Sequence, residues 1–163
     1  MVAFEASLLR SGGDLVVLAA FFGLLLAISV IDWRTRRIPN ALVGALIVLR
    51  LVALGVDVVF GHSGAAIGVF AGSFVVALCF VVVLLTLKGL MERVLHKDCM
   101  GLGDVKLLGA GCLFLDFEQA FSALMLAAIL GIVIALYYRL VCGDRTFPFG
   151  PALCCGLFGA LFL

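Results

Sequence analysis

Residues 15 to 31 read LVVLAAFFGLLLAISVI, an apolar run without a charge, and it stops abruptly at Asp32-Trp33-Arg34-Thr35-Arg36-Arg37-Ile38-Pro39-Asn40. A helix needs roughly 20 apolar residues to cross a bilayer. The run therefore reads as a membrane span with a charged border. Its arginines follow the apolar residues and no small-residue cleavage pattern comes after, so it is expected to be retained, unlike a secretory signal. The whole chain repeats this theme. Of its 163 residues, 66% are hydrophobic and 13% charged, with a mean hydropathy of +1.35, far above the roughly half-apolar makeup of soluble domains. The expectation is an all-α polytopic membrane bundle of about six transmembrane helices, forming a single integral-membrane domain over residues 1–163.

Composition also excludes some functions. A net charge of +1 gives no global basic field for nucleic acid. The cysteines are Cys79, Cys99, Cys112, Cys142, Cys154 and Cys155. They form no CxxC pair and lie mostly in apolar runs, where Cys acts as a small hydrophobe.

Outward from the first span, residues 1–14 form a short head with Glu5, Arg10 and Asp14. On the other side, Pro39 biases Ile38 away from helix and suits the first turn of a new one. A second span follows over residues 41–60, with Arg50 near its middle and Asp57 two turns later on the same face. Arg50 reads either as an inward residue neutralised by Asp57 or another span's carboxylate, or as a substrate-binding group. Gly61-His62-Ser63-Gly64 makes a turn before a third span over residues 65–87. The longest polar stretch then carries Lys88, Glu92, Arg93, His96, Lys97 and Asp98, and leads into Met100-Gly101-Leu102-Gly103-Asp104-Val105-Lys106.

The apolar residues 105–115 are too few to span alone at about 1.5 Å each. A fourth helix is therefore expected to start near Met100, with Asp104 and Lys106 in its first turns, and to end at Asp116 and Glu118. A fifth span covers residues 119–138. A link with Arg139, Asp144 and Arg145 leads to a sixth over residues 147–163, opening irregularly at Phe147-Pro148-Phe149-Gly150-Pro151.

Alternate connections place Arg34, Arg36, Arg37, Lys88, Arg93, Lys97, Lys106, Arg139 and Arg145 on one side, against Arg10 alone outside the spans on the other. The positive-inside rule makes the first side cytoplasmic and both chain ends external. By the same parity, Asp32 and Asp104 share the cytoplasmic face. Each has a bland reading alone: Asp32 as an interfacial residue balanced by Arg34 or Arg36, Asp104 as an acid favoured at a helix N-terminus. Neither explains the flanking Gly101 and Gly103 or the shared depth. Two close carboxylates share a proton, so one acts as base and the other as acid, and around one water the pair can hydrolyse a peptide without metal or covalent intermediate. The glycines would admit close backbone approach, and Lys106 would tune the carboxylates or bind a substrate carbonyl.

Other chemistries are less well supplied. A metal site would have Asp32, Asp104 and His96, but no HExxH or similar helical pair exists. Ser29, Ser73 and Ser122 sit in apolar runs without a histidine at matching depth. No metal or cofactor is expected.

Three stations together carry a resemblance: Asp32 followed by Ile38-Pro39-Asn40; Gly101-Leu102-Gly103-Asp104-Val105-Lys106; and Phe147-Pro148-Phe149-Gly150-Pro151 before a last apolar segment. In order and spacing they resemble the type IV prepilin leader peptidases, bacterial inner-membrane aspartyl proteases of the GxGD type. The resemblance implies a prepilin substrate, with a basic leader cut on the cytoplasmic side just before a hydrophobic helix. It implies Asp32 and Asp104 as catalytic, with Gly101, Gly103, Lys106, Pro39, Asn40, Pro148, Gly150 and Pro151 binding substrate or tuning the site. Glu92 and Asp98 are suitable partners for a basic leader. Long members carry paired CxxC motifs and a methyltransferase activity. Nothing here corresponds to that zinc-binding region, so the chain looks like the peptidase-only branch associated with Flp or Tad pili. The oligomeric state is open.

Gly101 to Asp104 and Pro151-Ala152-Leu153 also resemble the presenilin and signal-peptide-peptidase group, although the Ile-Pro-Asn after the first aspartate argues against it. A small proton-coupled transporter is the reading from a different class. Arg50 suits it, while two aspartates at one face and the lack of an inverted repeat do not.

Overall fold

The structure is a computed structural model and describes residues 12–59, 63–95, 101–142 and 149–162. These fold as six helices: α1 (Gly12–Thr35), α2 (Asn40–Val59), α3 (Ser63–Leu95), α4 (Leu102–Cys112), α5 (Phe117–Tyr137) and α6 (Gly150–Ala160). A five-residue π-helical turn, Tyr138–Cys142, continues α5. Four helices are long and apolar enough to cross a membrane: α1, α2, α3 and α5, with mean hydropathies between 2.4 and 2.8. The protein is a multi-pass membrane bundle.

The long helices present apolar surfaces of the kind that lipid solvates. At most 22% of the residues in each span's apolar window are buried by protein, and side chains such as Leu26, Val48, Val52, Val75, Val83 and Ile132 face outward. In water such a surface would be untenable, but a bilayer is as apolar as leucine.

The expected fourth and sixth spans are short. The helices α4 and α6 each have 11 residues, roughly 16 Å at 1.5 Å per residue, about half a hydrocarbon core. Both lie inside the bundle: residues 107–115 of α4 and the turn after it are all buried, and so is most of α6. Small residues permit this. A Cβ on Gly109 would stand 2.5 Å from Val81 of α3, one on Gly111 2.6 Å from Leu157 of α6, and one on Gly156 2.5 Å from the Ala123 carbonyl of α5. Without hydrophobic drive between helices in lipid, such close backbone approach is what holds them.

Several boundaries differ from expectation. Asp116 does not end α4, which stops at Cys112; it caps α5, where the Gln119 side chain accepts from the Asp116 backbone N–H at 3.2 Å in a capping box. An acid followed three residues later by Gln is a helix-start pattern. The helix α3 continues to Leu95, so Lys88, Glu92 and Arg93 are helical, and Lys88 pairs with Glu92 one turn on. Pro39 precedes α2 and accepts, through its carbonyl, from the N–H groups of Leu42 and Val43 at 3.1 and 3.4 Å. His62, Glu5, Arg10, His96, Lys97, Asp98, Cys99, Met100, Asp144, Arg145, Phe147 and Pro148 lie outside the described residues.

Candidate active site

One end of the bundle gathers the last turn of α1 and the first turns of α2, α4 and α6. Helix α1 runs three residues past Asp32 and closes with Arg36 in a left-handed conformation (φ 53°), its N–H bonded to the Asp32 carbonyl at 2.8 Å. The Asp32 side chain is buried, at 5% exposure. Next to it, Trp33 meets Tyr138 edge to face at 6.3 Å, the kind of aromatic pair that marks a membrane interface.

Asp32 is met from the far end of the sequence. The backbone N–H of Gly150, the first residue of α6, donates to Asp32 Oδ2 at 3.0 Å. A helix N-terminus carries free N–H groups and a partial positive charge, so a carboxylate is held there by both hydrogen bond and dipole. Only glycine fits: a Cβ at 150 would lie 2.5 Å from Asp32 Oδ2 and 2.8 Å from its Cγ. Pro151 follows within the first turn of α6, where its missing N–H costs nothing. Phe149 packs its ring on Gly131 of α5, which has no Cβ to obstruct it.

Asp104 is positioned locally. It lies in the first turn of α4, its N–H bonded to the Gly101 carbonyl at 3.2 Å. A Cβ on Gly101 would stand 3.0 Å from Asp104 Oδ2, and one on Gly103 3.2 Å from Ile38 Cβ. The second contact brings the glycine next to Asp104 against the residue before Pro39. Burial pushes the Asp104 carboxyl up to about 6, the negative charge of Asp32 acts in the same direction, and a hydrogen bond from the Gly101 backbone opposes them. The folded protein thus holds this proton more tightly than the unfolded chain does. Asp104's contribution to stability is full below the ordinary carboxylate range and is lost as pH rises through about 6.

Of the other expected residues, Lys106 and Asn40 come together, Lys106 Nζ donating to Asn40 Oδ1 at 3.2 Å. This ties the first turns of α4 and α2. Pro148 and His96 lie outside the described residues. Arg50 makes no ion pair in direct contact among the described residues, although the charge of Asp57 on the same helix acts on it; its Nε donates to the Leu113 carbonyl at 2.8 Å, and its guanidinium lies 5.7 Å from the ring centres of both Phe70 and Phe114.

One residue at this end escaped the sequence reading. Cys154, one turn into α6, is buried. Its thiol is pushed up to about 12, first by burial, then by Cys155 and by the charges of Asp32 and Asp104. It is a neutral group at the same end of α6 as Gly150, within reach of the field of both carboxylates. The spacing from Gly150 to Cys154, one helical turn, was the available signal.

The model of the type IV leader peptidase family matches residues 19–136. The chain belongs to that family. A relative from Legionella pneumophila, a prepilin leader peptidase/N-methyltransferase, is 29% identical over 142 residues, covering 85% of this chain and 47% of the relative. The chain thus spans about half the length of this leader-peptidase relative. No solved structure matches it. The matched region contains Asp32, Asp104, Lys106 and Asn40, and ends before α6.

Proposed function

We propose that the protein is an aspartic endopeptidase that removes the basic leader from Flp-type prepilins at the cytoplasmic face of the bacterial inner membrane. Family membership supports the reaction class, and the relative's name supports the prepilin substrate. The observation that carries the reading is that Asp32 and Asp104, from helices far apart in sequence, lie at the same end of the bundle, with Asp104 within reach of the charge of Asp32.

In this mechanism the pair holds one proton between two carboxylates. The ionised member takes a proton from water as its oxygen attacks the scissile carbonyl carbon, and the protonated member donates to the carbonyl oxygen. Collapse of the tetrahedral diol breaks the C–N bond, and a carboxyl returns a proton to the departing amine. Gly150 orients Asp32 through its N–H, and burial keeps Asp104 protonated below about pH 6. Gly101 and Gly103 leave room for an extended substrate backbone. The Lys106 ammonium, exposed beside Asn40, is placed to hold a substrate carbonyl. The hydrophobic helix of the prepilin would lie in the bilayer against the apolar flank. The proposal covers the peptidase alone.

The test is cleavage of a Flp-type prepilin by protein purified in detergent. Wild type is expected to cut at the leader junction, and Asp32→Asn and Asp104→Asn each to lose at least about 100-fold, the lower end of a general acid–base contribution. A folded variant of either kind that cuts at the wild-type rate would remove the two-aspartate mechanism.

A further inference from the structure

We propose that Arg50 is a positioning residue for the candidate active site, fixing the depth of α4 in the membrane and with it the placement of Asp104. The inference rests on the peptidase reading.

The helix α4 poses a problem that the long helices do not. Its last residues leave carbonyls without intrahelical partners, and they do so inside the bundle rather than in water. Leu113, Phe114 and Leu115 are 8%, 5% and 0% exposed. The turn there tightens, with Phe114 N–H bonded to the Gly111 carbonyl at 3.0 Å and Leu115 N–H to the Cys112 carbonyl at 3.2 Å, but Leu113 is left pointing its carbonyl toward α2. Non-helical backbone at membrane depth is tolerated only where protein satisfies it. Arg50 does so: its Nε donates to the Leu113 carbonyl at 2.8 Å, and its positive charge stands at the negative end of the α4 dipole. Phe70 of α3 and Phe114 flank the guanidinium at 5.7 Å each, so the cation is seated between ring faces. Arg50 is 8% exposed and therefore has little freedom to follow α4 if it slides.

Asp104 sits at the opposite end of the same short rod. Along its length α4 is keyed by Gly109 against Val81 and Gly111 against Leu157, apolar contacts to α3 and α6 that carry no hydrogen bond. The polar stops are at the ends: Lys106 to Asn40 near the site and Leu113 to Arg50 in the interior. Both stops are on α2. Withdrawing the inner one loosens the hold of α2 on α4, and Asp104 then shifts relative to Asp32 on α1.

The experiment compares wild type with Arg50→Met, measuring kcat, KM and the pH dependence of kcat for prepilin cleavage on monodisperse protein, with Asp104→Asn as the inactive control. The expected result is a kcat at least about tenfold lower with KM within about twofold, since a small misplacement of reacting groups costs rate more than binding. The alkaline limb is expected to move toward the ordinary carboxylate range, because Asp104 loses burial and the neighbouring charge. Arg50→Lys is expected to recover part of the rate. A wild-type kcat and limb in folded Arg50→Met overturns the proposal, as does a lower kcat with an unmoved limb, which would be a general loss of packing. If Arg50→Met cannot be recovered folded, Arg50→Gln is read in the same assay with the same criteria, and failure of both to fold makes Arg50 a folding residue and also overturns it. In each of these failures, cleavage by the wild type and its loss in Asp104→Asn leave the peptidase reading standing. A wild type that does not cleave removes that reading and the positioning role with it.

Discussion

The two carboxylates reach one end of the bundle by different routes. Asp104 carries its own setting, with the first turn of its own helix, two glycines just before it and an N–H from Gly101 all within a few residues. Asp32 has none of this. It sits in the last turn of a long span, and its partner, the Gly150 N–H, is 118 residues away in sequence. The local carboxylate is built by a motif, whereas the remote one is built by tertiary packing of α6 against α1. Their tolerance to change should differ accordingly.

The largest expected effect is on the remote side. Gly150→Ala places a methyl group 2.5 Å from Asp32 Oδ2, too close to coexist, and it is expected to lower kcat about 100-fold while leaving Tm within a few degrees. Gly101→Ala, with its methyl at 3.0 Å from the Asp104 carboxylate, is expected to cost about tenfold, since that side chain can adjust within its own turn. If Gly101→Ala proves the more damaging, the contrast between a packed and a local carboxylate fails.

The pH profile sharpens the same contrast. Asp104 is raised to about 6, by burial first and by Asp32 second, so the wild-type kcat is expected to fall on the alkaline side near pH 6 as the shared proton is lost. Asp32→Asn removes the second cause and keeps the first. The Asp104 carboxyl, followed by carboxyl NMR or infrared titration, is then expected to titrate lower than in wild type but above an ordinary aspartate. An unchanged titration would mean that the two groups do not sense each other.

The smallest effect lies far from the site. Ser73 in α3 is 3% exposed and its hydroxyl has no hydrogen-bond partner among the described residues. Ser73→Ala is expected to raise stability by about 1 kcal/mol with no change in cleavage, read as a higher Tm in detergent.

The local half of the site was legible in the sequence, and most of the remote half was not. Apolar runs of span length place α1, α2, α3 and α5, because lipid demands long uninterrupted helices. Gly101, Gly103 and Asp104 announce themselves because glycines flanking an acid at a helix start are locally meaningful. The pairing of Asp32 with Gly150 depends on how α6 packs, which hydropathy does not encode. The short α4 and α6 were readable as helices, but a half-length helix buried in protein has the same composition as part of a span. Arg50 was recognisable as expensive, yet its partner is a backbone carbonyl, Leu113, and a carbonyl leaves no mark in a sequence.

The central claim is that Asp32 and Asp104 act as one unit. It is tested most directly by a double-mutant cycle on prepilin cleavage, measuring kcat/KM for Asp32→Asn, Asp104→Asn and the double variant against wild type. A shared-proton pair predicts that either single change costs nearly as much as both together, because half a pair has no acid–base function. Losses that simply multiply in the double variant would contradict it, because they would mean that the two aspartates contribute independently.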